Sequence, residues 1–136
     1  VRQKSQGFDQ NRLALLVAVL EKRMGMNLQD KDIFLNIVGG VKVMDPGADL
    51  AVVMAIASAL LDKAVSPDTV VVGEVGLSSE VRSVSQIAQR ISEAQKLGFR
   101  TCVLPKNNLK SRFEIKEKNI EIVGVESVKE VLDLFR

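Results

Sequence analysis

The chain has 136 residues and a formal net charge of +2, with 46% hydrophobic and 26% charged positions, proportions that suit one ordinary globular domain with one core and argue against disorder. Histidine is absent and cysteine single, so this chain alone cannot build a conventional zinc site, a Cys/His nucleophile pair or a Ser/His/Asp triad. An internal disulfide is excluded as well, and the opening VRQKSQGFDQ has none of the apolar run of a signal peptide.

Asp9 is placed to open a helix reaching about Met24, because Leu13, Leu16, Val17 and Leu20 repeat at helical spacing and leave Arg12, Glu21, Lys22 and Arg23 for solvent. Gly25 ends it. Asp32 to Val43 reads as a strand with Ile33, Leu35 and Ile37 on one side, interrupted at Gly39-Gly40 by a bulge or a hairpin turn.

The chain is organised around the stretch from Leu35 to Leu61, in which this strand and a turn lead into the most hydrophobic helix, Ala48 to Leu61. Asp45 can cap that helix, Pro46 is tolerated in its first turn, and Asp49 is its one charge. A helix apolar on nearly all sides belongs in a core, packed on more than one face. At roughly 14 residues it is too short for a bilayer, which takes about 20, so no membrane partner is expected.

Ser66-Pro67-Asp68 ends the connection after the helix, and the β-branched Thr69 to Val75 predicts a buried strand. Gly76 to Ser79 predicts a turn and Glu80 to Val84 a short returning strand. Ser85 is the expected N-cap of a helix with apolar positions Ile87, Ile91, Ala94 and Leu97, closed by Gly98. Phe99 to Leu104 predicts another strand, ended by Pro105, and it makes Cys102 a buried residue and not a reactive thiol. Lys106 to Lys118 is polar and irregular, Ile120 to Val123 predicts a strand, and Ser127 caps a final helix ending near Phe135. The order is mixed α/β with a helix first and a helix last.

Three stretches are more specific than this: FDQNRLALLVAVLEKR, NIVGGVKVMDPGADLAV and GEVGLSSEVRSVSQIAQRISEAQKLGF, the last followed by VLPKNN. Together they resemble the C-terminal domain of the RadA (Sms) family of DNA repair proteins, and the resemblance covers almost the whole chain. That domain is similar to the proteolytic domain of Lon proteases. The resemblance implies a single domain over residues 1–136 of class α/β (α+β), a ribosomal-protein-S5 domain-2-like sandwich.

Lon proteases use a Ser/Lys dyad, with the serine in a Gly-Pro-Ser-Ala-Gly turn and the lysine, its base, on a following helix. The corresponding turn here is Asp45-Pro46-Gly47-Ala48-Asp49, which sets Gly47 at the nucleophile position. Registering GEVGLSSEVRSVSQIAQR on the family pattern sets Ala88 at the lysine position, with Arg90 two residues on. Arginine stays protonated, so a small shift of register restores no base. A tight turn at Gly47 and close helix packing at Ala88 also account for both residues without any enzymatic past. Ser58, Ser78, Ser79 and Ser85, with Lys42 and Lys63, form no recognisable dyad; caps and turns explain the serines. GGVKVMDPG has no Gly-Lys-Ser/Thr and is no phosphate loop.

Charge is uneven, since Lys96, Arg100, Lys106, Lys110, Arg112, Lys116 and Lys118 cluster against Glu114 and Glu117. DNA contact is expected to be electrostatic, to the duplex backbone, through Lys106, Lys110 and Arg112 with Arg82 and Arg90. The absence of Trp and Tyr, and a core role for most of the five Phe, leave little for stacking on single strands. The family resemblance further implies a DNA-dependent ATPase and branch-migration motor of recombination and repair, a hexameric ring, other recombination proteins as partners, and a cytoplasmic location or an organelle of bacterial descent. It puts ATP, Mg and Zn in upstream domains and no cofactor in this one. Two other functions compete with this reading: a Lon-like peptidase with an unorthodox dyad, and a purely structural oligomerisation module.

Overall fold

Residues 3–39, 42–110, 115–117 and 119–135 are described by a computed structural model, a mixed α/β arrangement of helices and small, mostly parallel sheets. Its centre is α2 (Asp49–Leu61), entered through a 3-10 turn over Pro46–Ala48. The Asp45 carboxylate caps this turn by accepting from the Gly47 amide. Leu50, Val53 and Ala57 are fully buried, each branched side chain contributing about 1.5–3 kcal/mol of apolar burial. Helix α1 (Gln10–Met24) and helix α4 (Val128–Leu134) pack on α2, as do strands β3 (Thr69–Val71) and β4 (Glu74–Val75). One narrow face, with Ala51, Ala55 and Ala59, stays exposed.

Helix α1 has the expected caps: Asp9 accepts from the Arg12 amide, and Gly25 adopts φ 66°, the left-handed conformation that closes a helix. Its partner is a strand that sequence reasoning missed. Strand β1 (Gln3–Gln6) pairs in parallel with β2 (Ile33–Asn36), yet QKSQ carries no apolar residue from which alternation could be read. The strand expected over Asp32 to Val43 is correspondingly shorter. Val43 nevertheless rejoins the same neighbour, bridging Phe8 in parallel. The chain therefore has its original direction again at Val43, so Ile33–Asn36 and Val43 are not the two arms of a hairpin; Gly40 lies outside the described residues. Phe34 on β2 is 69% exposed, contrary to a core role, because β2 alternates and Ile33 and Leu35 take the inner positions.

The run Thr69 to Val75 serves two sheets. Strand β3 lies beside β6 (Thr101–Pro105), and β6 beside β7 (Glu121–Val125), all parallel. After Val72 donates to the Val103 carbonyl, Gly73 turns away to pair with Gly47 and Leu50, and β4 continues as an antiparallel pair with β5 (Val81–Arg82). Central β6 is buried from Cys102 to Pro105, as an apolar parallel strand with neighbours on both sides must be.

Helix α3 (Ile87–Lys96) buries Ile87, Ile91 and Ala94. Ser85 does not cap it: Gln86 precedes the helix at φ 56° with no side-chain cap, and the Ser85 carbonyl is taken by Arg90. Leu97 is exposed, because it lies past the last buried turn, where Gly98 at φ 93° closes the helix. Lys106–Lys110 forms a 3-10 turn, and Ser127 caps α4 by accepting from the Glu130 amide. No helix among the described residues is long and apolar enough to cross a membrane.

Candidate functional site

Two elements converge on the turn before α2. Gly47 is buried in that turn, and a Cβ added to it would stand 3.1 Å from Asp45 Oδ1, 3.2 Å from Arg90 Nη1 and 3.2 Å from Val84 Cγ1. Arg90 comes from α3. Its Nη1 donates to Asp45 Oδ2 at 2.6 Å, its Nη2 to Asp45 Oδ1 at 3.1 Å, and its Nε to the Ser85 carbonyl at 2.8 Å. All three guanidinium nitrogens are thus engaged, two of them in the parallel fork that suits a carboxylate. Ala88, on the same helix, is exposed.

The Arg90 guanidinium, by direct hydrogen bonding, holds the Asp45 carboxyl below its usual range; partial burial opposes this and the Gly47 amide adds to it. Chemically the space over Gly47 is filled by a fixed cation and its anion. Neither supplies the hydroxyl or the deprotonatable amine of a Ser/Lys dyad, and a guanidinium cannot take a proton.

Behind this turn lies a second ion pair. The Asp49 side chain is 1% exposed and accepts from Arg12 Nε at 3.0 Å, from Arg12 Nη2, and from the Val75 amide at 3.1 Å. Arg12 also donates to the Val75 carbonyl at 2.9 Å, so one guanidinium ties α1, α2 and β4 together. Hydrogen bonding to Asp49 raises the Arg12 pKa further, against partial burial. Sequence reasoning left Arg12 to solvent. The signal that finds its role is the lone carboxylate of an otherwise apolar helix, because a buried charge demands a partner. Phe8, Asp9, Arg12, Met44, Asp45 and Glu74 line a cavity of about 630 Å³ beside these pairs.

The basic candidates fall on neighbouring elements. Lys106 and Lys110 begin and end the 3-10 turn, and Arg82 ends β5. The turn is tied to the β5–α3 segment by Asn108, which is 6% exposed. Its Oδ1 accepts from the Val84 amide at 3.0 Å and its Nδ2 donates to the Val84 carbonyl at 2.9 Å. Three of the cations carry carboxylates: Arg82 pairs with Glu80 at 2.9 Å, Lys106 with Glu126 at 3.5 Å, and Arg90 with Asp45. Glu80 is held below its usual range first by its own backbone amide and then by Arg82. Lys110 is exposed. Arg112 lies outside the described residues. Asn108 was not singled out from the sequence, where an Asn in a polar loop carries no signal. Burial pushes the Cys102 thiol up to about 11, which leaves it inert at neutral pH.

Comparison with known proteins gives a consistent picture. The family described as the Lon protease (S16) C-terminal proteolytic domain matches residues 17–135. The chain is 48% identical over 131 residues to the DNA repair protein RadA of Bacillus subtilis, covering 96% of this chain and 28% of that protein. It is 44% identical over 133 residues to the DNA repair protein RadA of Halalkalibacterium halodurans, covering 98% and 29%. It is 49% identical over 126 residues to the DNA repair protein RadA of Streptococcus pneumoniae, covering 93% and 30%. The chain therefore spans less than a third of the length of these relatives.

Proposed function

The chain belongs to the Lon protease C-terminal proteolytic-domain family, and on that premise we propose that it is a member without peptidase chemistry, serving as an assembly and DNA-contacting domain of a RadA-like DNA repair protein. The observation that carries the first part is the Arg90–Asp45 fork over Gly47. A Ser/Lys dyad needs a hydroxyl at the turn and a lysine able to lose its proton beside it. Gly47 offers no hydroxyl, exposed Ala88 no amine, and Arg90 a cation already bound to a carboxylate.

The names of the relatives support the second part. Lys106, Lys110 and Arg82 stand on adjoining elements, and their carboxylate partners Glu126 and Glu80 are exposed. Exposed pairs of this kind hold their cations weakly, by about 0–1 kcal/mol. A phosphate can displace such a carboxylate, so the surface suits sequence-independent backbone contact. Among the described residues Phe34 is the one exposed aromatic, too little for a stacking platform.

The finer parts of the reading rest on family resemblance. They are an S5 domain-2-like sandwich as a single domain, a ring of six subunits, and a DNA-dependent ATPase using ATP, Mg and Zn in other domains. Branch migration in recombination and a cytoplasmic location belong with them. One pair of assays tests the function: a fluorogenic peptide or casein substrate, expected to stay intact, and duplex retention on filters, expected to occur and to weaken with salt. Turnover that disappears on mutating a Ser/Lys pair would establish the peptidase instead. No retention at low salt would leave an oligomerisation module.

A further inference from the structure

We infer that Asn108 is a positioning residue, whose paired hydrogen bonds to Val84 hold the Lys106–Lys110 turn against the β5–α3 segment so that Lys106, Lys110 and Arg82 meet the phosphates of duplex DNA as one surface. This rests on the DNA-contacting role proposed above.

The turn is polar, and an amide side chain within it would ordinarily face water. Asn108 is instead buried, which is costly unless donor and acceptor are both satisfied. Val84, 24 positions away, meets both: its N–H donates to Oδ1 at 3.0 Å and its C=O accepts from Nδ2 at 2.9 Å. The side chain thus does what a neighbouring strand would do, and aspartate could not replace it, since a carboxylate cannot donate to the carbonyl. On its other side the turn rests on β7 at Gly124, where a Cβ would stand 2.9 Å from Leu109 Cδ1 and 3.3 Å from Lys106 Cα.

The five-residue turn is therefore clipped between Val84 and Gly124. Two of the cations at this surface pair with exposed carboxylates, Lys106 with Glu126 and Arg82 with Glu80. Released from the clip, the lysines no longer stand where the phosphates of one duplex meet them, so fewer phosphates are neutralised on binding and affinity falls.

The test compares Asn108→Ala, the double change Lys106→Ala with Lys110→Ala, and the combination of all three, in the full chain, by duplex binding across a salt series. Thermal unfolding keeps the assay well below each melting point. Asn108→Ala is expected to weaken binding roughly tenfold, about as much as the double lysine change, and to lower the slope of log affinity against log salt by about 0.9 for each phosphate that is no longer neutralised. The combination is expected to bind no more weakly than the double change. Gly124→Ala, which crowds the same turn from the opposite side, is expected to give the same shallower slope, and it carries the test if Asn108→Ala does not fold. A merely structural asparagine would lower the melting point and leave the slope of the folded protein unchanged. Wild-type slope in both variants, or losses that simply add, would overturn the inference while DNA contact stood. Failure of the parent chain to bind duplex would overturn the DNA reading itself.

Discussion

Arg90 and Asp45, 45 residues apart in the chain, meet through two hydrogen bonds of 2.6 and 3.1 Å across the turn that carries Gly47. The fork joins α3 to the entrance of α2. It also fills the space over Gly47, and on this the proposal that the domain lacks peptidase chemistry rests.

Restoring a hydroxyl is therefore expected to do two things. Gly47→Ser places a Cβ 3.1–3.2 Å from three neighbours, so it is expected to cost about 1 kcal/mol of stability by crowding. It is also expected to hydrolyse no fluorogenic peptide, alone, with Ala88→Lys, or with Arg90→Lys. In the last case Asp45 keeps the new ammonium charged, and a charged amine is no base. Turnover above the parent in any of the three would contradict this.

The fork also sets a pH signature. Asp45 has a depressed folded pKa, so its contribution is present above the unfolded carboxylate value of about 3.9 and is lost as pH falls through the lower folded value. The Asp45 side chain is 44% exposed, which limits the effect to about 1 kcal/mol or less. Parent and Asp45→Asn are expected to differ by that amount in the unfolding free energy from urea titration at pH 7 and to converge below pH 4. A gap that widens in acid would mean the carboxyl is not stabilised by Arg90.

Features written in local residue chemistry were legible in the sequence. Asp9, Gly25, Asp45, Gly98 and Ser127 act as the terminators their types suggest, because a cap depends on a few neighbouring residues. The apolar face of α1 followed from spacing alone. Features that depend on partners distant in sequence were not legible. Gln3–Gln6 becomes a strand only because β2 pairs with it. Ser85 is a local exception: it does not cap because Gln86, between it and the helix, takes the N-cap position in a left-handed conformation. Arg12 and Asn108 look like solvent-facing residues until Asp49 and Val84, 37 and 24 positions away, come to meet them. Of the candidate site, residue types point to Gly47 and Arg90, but nothing in their spacing joins Arg90 to the Asp45 carboxylate.

Arg12→Ala leaves the Asp49 carboxylate buried, with the Val75 amide as its remaining hydrogen-bond partner. Breaking a buried pair from one side costs about 3–5 kcal/mol, less where the deleted partner is partly exposed. A loss of about 2–3 kcal/mol in the urea unfolding free energy is expected, with Asp49→Asn milder because it removes the stranded charge. Equal, negligible losses in both would show that the pair is not structural.

Val53 has no exposure and Ile56 has 9%, so Val53→Asp or Ile56→Asp puts an unpaired carboxylate into the core. Either is expected to cost more than about 4 kcal/mol and to prevent folding. Circular dichroism checks this: a soluble variant with an unchanged melt would mean that α2 is not the centre of the core.

The most direct measurement of the central claim is duplex binding by the full chain carrying Lys106→Ala, Lys110→Ala and Arg112→Ala together, followed against salt for unrelated sequences. Lys106 and Lys110 flank the Asn108 tie, so their removal takes charge from the surface without opening the core. Affinity is expected to fall about equally for every sequence, and the slope of log affinity against log salt is expected to become shallower by about 0.9 for each phosphate left without its cation. Unchanged affinity and an unchanged slope would contradict the account, showing that this basic surface is only solvated and does not touch DNA.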